Sequence, residues 1–205
     1  MAWRYGRAGG DGGGAPAPRA RRGIPSAAEA ATARLAASAW AQALLARGAF
    51  AVLDTETTGT GDPEIVQMAV VGPGGEPLLE TRVRPLGPVG ARASGIHGLY
   101  ARDLTDAPGF KEVYPRLAAA LRGREILAWN APFDRAMVAR DAARHGLPPP
   151  GRAWTCAMRA SAPWYGAWDA AQGRWKSTKL EGGDHSALGD AGRVLDVLRR
   201  MAGDD

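Results

Sequence analysis

The sequence predicts an α/β fold in which a mixed sheet is covered by helices. Two observations predict it. Three strand-like runs, Phe50–Thr55, Ile65–Val71 and Leu78–Arg84, are separated by short links rich in Gly and Pro, the pattern of consecutive hairpins. Helical and strand-like segments then alternate up to a strongly periodic last helix. A chain of 205 residues suits one domain with a sizeable core and some tail.

The elements follow in order. Residues 1–24 are rich in Gly, Pro and Arg and hold too few large apolar side chains to order themselves, which predicts a disordered tail ahead of a single domain over 25–205. Residues 1–23 contain Arg4, Arg7, Arg19, Arg21 and Arg22 against Asp11, so most of the chain's net charge of +5 lies there. A basic tail suits weak, salt-sensitive attraction to nucleic acid, and equally a leader that keeps the protein in solution. Ser26 and Glu29 form a capping-box start, and Arg47 with Gly48 a stop, for a helix over about 26–47. Its Leu35, Trp40, Leu44 and Leu45 need a surface to lie against.

Gly59, Gly61 and Pro63 mark the first turn after the opening strand, and "GPGGEP" the second. A loop is expected through "GIHGL". "PGFKEVYPRLAAALRG" reads as a helix, in which Pro115 allows either a kink or a start. "EILAWN" reads as a short buried strand and "FDRAMVARDAARHG" as a helix ending at Gly146. Trp154 to Gly183 has no assignable pattern. The last helix repeats apolar residues at Ala187, Ala191, Val194, Leu198 and Met201.

Composition excludes some classes. The single cysteine, Cys156, rules out an internal disulfide and fits a reducing compartment. No apolar run reaches signal-peptide or membrane-span length, so a cytoplasmic protein without a membrane partner is expected.

The chemistry starts at "FAVLDTETTGT". Residues two apart on a strand share a face, so Asp54 and Glu56 point the same way from an apolar strand. Two like charges there repel and are poorly solvated, and a divalent cation between them relieves both problems. Asp134 lies in the first turn of a helix, where the dipole tolerates an anion and an ordinary capping role is also open. Asp190 falls on or beside the apolar stripe of the last helix, where a charge is unfavourable unless paired or metal-bound. His185 stands just ahead of that helix. Taken singly, each of these is more often structural than catalytic.

Together, "LDTETTG", "AWNAPFD" and "HSALGDA", in that order, resemble the three exonuclease motifs of the DnaQ-like 3′–5′ exonucleases, the DEDDh branch of the ribonuclease H-like fold. That group includes polymerase proofreading subunits and ribonuclease T. "EIVQMAVV" and "GIHGL" add to the likeness, which extends from about Phe50 to Met201. The resemblance implies a mixed five-stranded central sheet flanked by helices. It implies that Asp54, Glu56, Asp134 and Asp190 bind two Mg²⁺ ions, which Mn²⁺ can replace, with His185 as general base. Thr57, Thr58, Gly59 and Thr60 would shape the pocket for the terminal nucleotide, with Asn130 and Phe133 supporting the second motif. His97 would lie near the substrate strand. Thr60 departs from the Leu that many relatives carry, which puts a wedge against the terminal base in doubt, and Gly189 replaces a frequent second Asp.

Hard cations with oxygen ligands lower the pKa of water and offset charge on entering and leaving oxygens, which phosphodiester hydrolysis needs. A histidine with a pKa of about 6.5 suits removal of the water's proton near neutral pH. The implied reaction releases nucleoside 5′-monophosphates from the 3′ end of single-stranded nucleic acid, DNA ahead of RNA. RNA trimming and a polymerase-associated subunit are the alternatives, with a DNA polymerase as the candidate partner of the second. A noncatalytic nucleic-acid binder is disfavoured by the complete set of five residues. "PWYGAWDAAQGRWKSTK" sets Trp164, Tyr165, Trp168 and Trp175 beside Arg174, Lys176 and Lys179. Rings with interleaved cations can hold a single strand, and tryptophans can also simply cover a core. Lys176 and Lys179 are the better candidates for phosphate contact. His145, at a helix end, reads as structural.

Overall fold

The computed structural model describes residues 23–151 and 153–203. All but the end of the tail expected over residues 1–24 lies outside the described residues. Helix α1, Ala27–Arg47, begins at the Ser26 capping box and ends on left-handed Gly48, as the sequence predicts. It buries Ala37, Ala41 and Leu44. Leu35, expected to need a covering surface, is instead exposed.

Strand β1, Phe50–Thr57, pairs antiparallel with β2, Ile65–Val71, which pairs antiparallel with β3, Pro77–Arg82. Strand β4, Glu125–Ala128, joins the other side of β1 in parallel, and β5, Trp154–Cys156, extends the sheet in parallel again. The order β3-β2-β1-β4-β5 makes a mixed five-stranded sheet with β1 at its centre. Phe50 through Leu53 are fully buried because helices cover both faces.

The alternation along β1 decides which helices meet which residues. Phe50 and Val52 pack in one cluster with Ala191, Val194 and Leu198 of helix α6, Ala187–Ala202. Helices α1 and α5, Ala157–Tyr165, complete that layer. Ala51 and Leu53 pack on the opposite face with Val113 and Leu117 of α3, Phe110–Leu121, and Met137 and Val138 of α4, Ala131–Arg144. Asp54 and Glu56 continue the α6 side, whereas Thr55 continues the α4 side. This parity organises the site.

Some expectations are corrected. The segment around "GIHGL" is a helix, α2, Ala91–His97, closed by left-handed Gly98 and followed by a 3₁₀ turn at Ala101–Leu104. It is too short and too little buried for its periodicity to stand out. The third strand runs over Pro77–Arg82 rather than Leu78–Arg84: a register shift near Val71 brings in Pro77, and at the other end Arg84 bridges to Gly109 instead of β2. Pro115 neither starts nor ends a helix: α3 runs through it. It is exposed, so the carbonyl it leaves unbonded meets water, while Val113, Leu117 and Leu121 keep the helix on the sheet. The unassigned stretch holds β5, α5 and a small hairpin of β6, Trp168–Asp169, and β7, Arg174–Trp175. Elements of two and three residues carry too little pattern to be read. Among the described residues, no helix is long and apolar enough to cross a membrane.

Candidate active site

The two strand carboxylates and the helix carboxylate converge. One carboxylate oxygen each from Asp54, Glu56 and Asp190 lie within 4.8 Å of one another. Burial pushes the Asp54 carboxyl well above its usual range, and the charges of Asp134, Glu56 and Asp190 add to it. Burial, with Asp190 and Asp134 close by, pushes Glu56 up to about 8. Asp190 is also raised by burial, with the His185 side chain and nearby backbone N–H groups opposing the shift. Its Oδ1 is buried without a hydrogen-bond partner. A Cβ on Gly183 would overlap that oxygen, so a glycine is what lets the carboxylate sit there. An all-oxygen donor set with an orphaned buried oxygen and mutually raised acids fits a hard divalent cation.

Asp134 stands apart from these three. It is the fourth residue of α4, not its cap, and is 4 % exposed. Its Oδ1 accepts a 2.8 Å hydrogen bond from the Thr55 hydroxyl, which faces the α4 side of β1. Burial raises the Asp134 carboxyl to about 7, with that hydroxyl working in the other direction. Asp134 is near enough to perturb both Asp54 and Glu56, so the fourth acid flanks the cluster from across the strand.

His185 is exposed and lies one residue before Ser186, the N-cap of α6. The turn at Thr57–Thr60 is braced by α2. The Thr57 carbonyl accepts from His97 Nε2 at 3.2 Å, and the Thr58 carbonyl accepts from the Gly90 N–H at 2.9 Å. The Leu99 N–H donates to His97 Nδ1, so the ring is the neutral tautomer protonated on Nε2. Burial lowers the His97 pKa in keeping with this. The Thr58 N–H donates to the Glu64 carbonyl, and its hydroxyl accepts from the Glu64 N–H. Gly59 has φ +126°, a conformation open to glycine alone. Thr60 is exposed at the tip.

Asn130 is the exposed N-cap of α4, and Phe133, 36 % exposed, is held by its N–H to the Asn130 carbonyl. Lys176 and Lys179 are exposed. Trp164 and Tyr165 pack against the core, with Arg34 over the Trp164 ring, and Trp168 and Trp175 pack edge to face. His145 ends α4 and stacks on Phe110, a structural place.

Three supporting residues escape a reading of the sequence. They are Thr55, the partner of Asp134; Gly183, beneath Asp190; and Gln67, whose Oε1 accepts the Ala187 N–H at the start of α6. Thr55 was detectable in principle, since a polar residue between two acids on a buried strand must find a partner.

The stretch of chain that carries these residues matches known proteins. The exonuclease family (RNase_T) matches residues 51–198. The uncharacterized exonuclease CP81 of Escherichia phage 186 is 29% identical over 171 residues, 73% of this chain and 86% of that protein. A DNA polymerase III subunit epsilon-like protein of Rhodobacter capsulatus is 39% identical over 106 residues, 47% of this chain but only 15% of its own length. Exonuclease X, solved in complex with 5′ overhanging duplex DNA, superposes with a TM-score of 0.51 at 26% identity, over 75% of this chain and 93% of that one. The nuclease domain of 3′hExo, a DEDDh family member bound to rAMP, shares the fold with a TM-score of 0.60 at 14% identity, over 76% of this chain and 92% of that one. With a family match that starts one residue into β1 and runs through most of α6, the chain belongs to the exonuclease family, within the DnaQ-like 3′–5′ exonucleases of the ribonuclease H-like fold.

Proposed function

We propose that the protein is a divalent-metal-dependent 3′–5′ exonuclease acting on single-stranded 3′ ends, DNA ahead of RNA, and releasing nucleoside 5′-monophosphates. The observation that carries this reading is the convergence of Asp54, Glu56 and Asp190 oxygens within 4.8 Å, with Asp134 flanking them. Asp54, Glu56 and Asp190, joined by Asp134, would hold Mg²⁺, two ions in the full site, with Mn²⁺ able to substitute. The bound cations would supply Lewis acidity toward the scissile phosphate and lower the pKa of water.

The side chains then have distinct tasks. Glu56 and Asp134, whose carboxyls are pushed up to about 8 and about 7, would have to be deprotonated to hold a cation. His185 accepts a proton from the attacking water at a ring nitrogen. The water oxygen forms a bond to phosphorus as the bond to the 3′ oxygen of the preceding nucleotide breaks. That oxygen takes a proton from solvent and becomes the new 3′-hydroxyl. Thr57, Thr58 and Gly59 present a braced backbone to the terminal sugar, with His97 holding the Thr57 carbonyl. Asn130 and Phe133 flank the entry to α4, and Lys176 and Lys179 offer charge to the phosphates.

The test is digestion of 5′-labelled single-stranded DNA and RNA of one sequence, with Mg²⁺ and with chelator. A metal-dependent ladder shortening from the 3′ end supports the reading, and the faster substrate decides between DNA degradation and RNA trimming. Absence of any ladder from folded protein counts against it. A second reading, a polymerase-associated proofreading subunit, draws on relatives named DNA polymerase III subunit epsilon, such as that of Pasteurella multocida at 32% identity over 94 residues. The chain matches 37% of that protein's length, so the association is tested separately, by co-purification with a polymerase.

A further inference from the structure

The place of His185 is decided by its neighbours. Among the described residues it is the one non-glycine with positive φ, +58°. Few residues bearing a Cβ adopt that region, His more readily than most. The hydrogen bonds around it belong to Asp184, Ser186 and Gly189. Asp184 Oδ1 accepts both the Ser186 N–H, at 3.0 Å, and the Ser186 hydroxyl, at 2.7 Å. The Ser186 hydroxyl in turn accepts the Gly189 N–H at 3.0 Å. Its one proton goes to Asp184 and its lone pair to the helix, so the orientation of each group fixes the next. His185 is strapped between the two ends of this relay, while its exposed imidazole is left to whatever its backbone dictates.

Gly189 completes the device. A Cβ there would overlap Asp184 Oδ1 and crowd the Ser186 hydroxyl. The absence of a side chain at the third position of α6 is therefore what admits the carboxylate. Asp190, one residue further along the same helix, belongs to the acidic cluster.

We propose that Asp184 is the positioning residue of His185: through Ser186 and the space left by Gly189 it fixes the general base relative to the acidic cluster. This rests on the reading of His185 as the base. The role is that of a hydrogen-bond acceptor exercised on the backbone.

The experiment compares Asp184→Ala, Asp184→Asn, Gly189→Ala and His185→Ala in steady-state cleavage of a single-stranded oligonucleotide with Mg²⁺. Hydrogen exchange of the Ser186 amide is measured alongside. Asp184→Ala should lower kcat about tenfold, the lower range for a group that orients a reacting residue. KM should stay unchanged, and the Ser186 amide should exchange faster. Asp184→Asn, which keeps the acceptor oxygen, should restore both. Gly189→Ala should reproduce the loss of kcat, because the added methyl displaces the Asp184 carboxylate and crowds the Ser186 hydroxyl. Native kcat in Asp184→Ala, or equal damage in Asp184→Asn, overturns the proposal. His185→Ala separates the two levels. A fall in kcat of about 10²–10⁴-fold keeps the base reading whatever Asp184 does, whereas native kcat removes that reading and the positioning role with it.

Discussion

Asp54 occupies a position that is poor for folding and, in the proposed reaction, necessary. Its carboxyl is pushed up by burial and by three neighbouring acids, so each charge removed from the cluster relieves the others. Asp54→Asn should therefore melt higher than the native protein in chelator at pH 8, by about 1 kcal/mol or more. The same variant should lose more than about 100-fold in exonuclease activity, since even supporting groups at metal sites are worth about 10–100-fold. Calorimetry and the oligonucleotide assay on one preparation check both halves, and a variant that is both less stable and active contradicts the argument. Thr55 has the opposite character. Thr55→Val keeps the shape but leaves a buried Asp134 oxygen without its donor, at a cost of about 1–3 kcal/mol by urea unfolding. Thr55→Ser, which keeps the hydroxyl, should recover most of that stability.

Helix α4 does more than carry Asp134, because its far end ties down the turn that follows β1. Asp141, 3 % exposed, accepts the Ile65 N–H at 2.8 Å and pairs with Arg144. Arg144 also donates to the Pro63 and Asp62 carbonyls and pairs with the Asp62 carboxylate. The helix thereby grips the end of the turn bearing Thr58, Gly59 and Thr60, while α2 grips its start. Asp141→Ala leaves the Ile65 N–H without its acceptor and removes one of the two carboxylates paired with the Arg144 guanidinium. A loss of about 1–3 kcal/mol is expected in denaturant unfolding, the range for leaving a buried donor unsatisfied. Asp62→Ala touches only the exposed end of the network and should cost well under about 1 kcal/mol. Equal effects from the two variants would contradict this account.

At the scale of the whole molecule, the acidic cluster sets a pH dependence. Glu56 and Asp134 titrate in the folded protein at about 8 and about 7, above the usual carboxylate range they have in the unfolded chain. The folded state binds more protons between those limits, so stability falls as pH rises. Without metal, the favourable difference is fully present below about pH 4 and is lost by about pH 8. The Tm in chelator should drop from pH 5.5 to pH 8.5, on the order of a few kcal/mol of stability. Mg²⁺ should restore more stability at pH 8.5 than at pH 5.5, because binding requires the carboxylates. A thermal melt series with and without Mg²⁺ measures this, and metal stabilisation that is equal at both pH values would refute it. Glu56→Gln should flatten the chelator series.

The sequence by itself determined the elements with strong periods and strong punctuation. Helix α1 follows from Ser26, Glu29 and Gly48, strand β2 from its apolar run, and helix α6 from its stripe. It also determined that Asp54 and Glu56 share a face, because strand alternation is local geometry. The family likeness, read from three short motifs, agrees with the match over residues 51–198. Tertiary structure alone decided the rest. Helix α2 and strand β5 gain their order from what they pack against, not from their own pattern. Asp134 meets Thr55 and flanks the other acids because α4 packs on the odd-numbered face of β1. Gly183 and Gly189 have meaning only once the Asp190 and Asp184 carboxylates fold over them. Local geometry fixes the direction in which a side chain leaves its own backbone, but only the packing of distant segments fixes what it meets there.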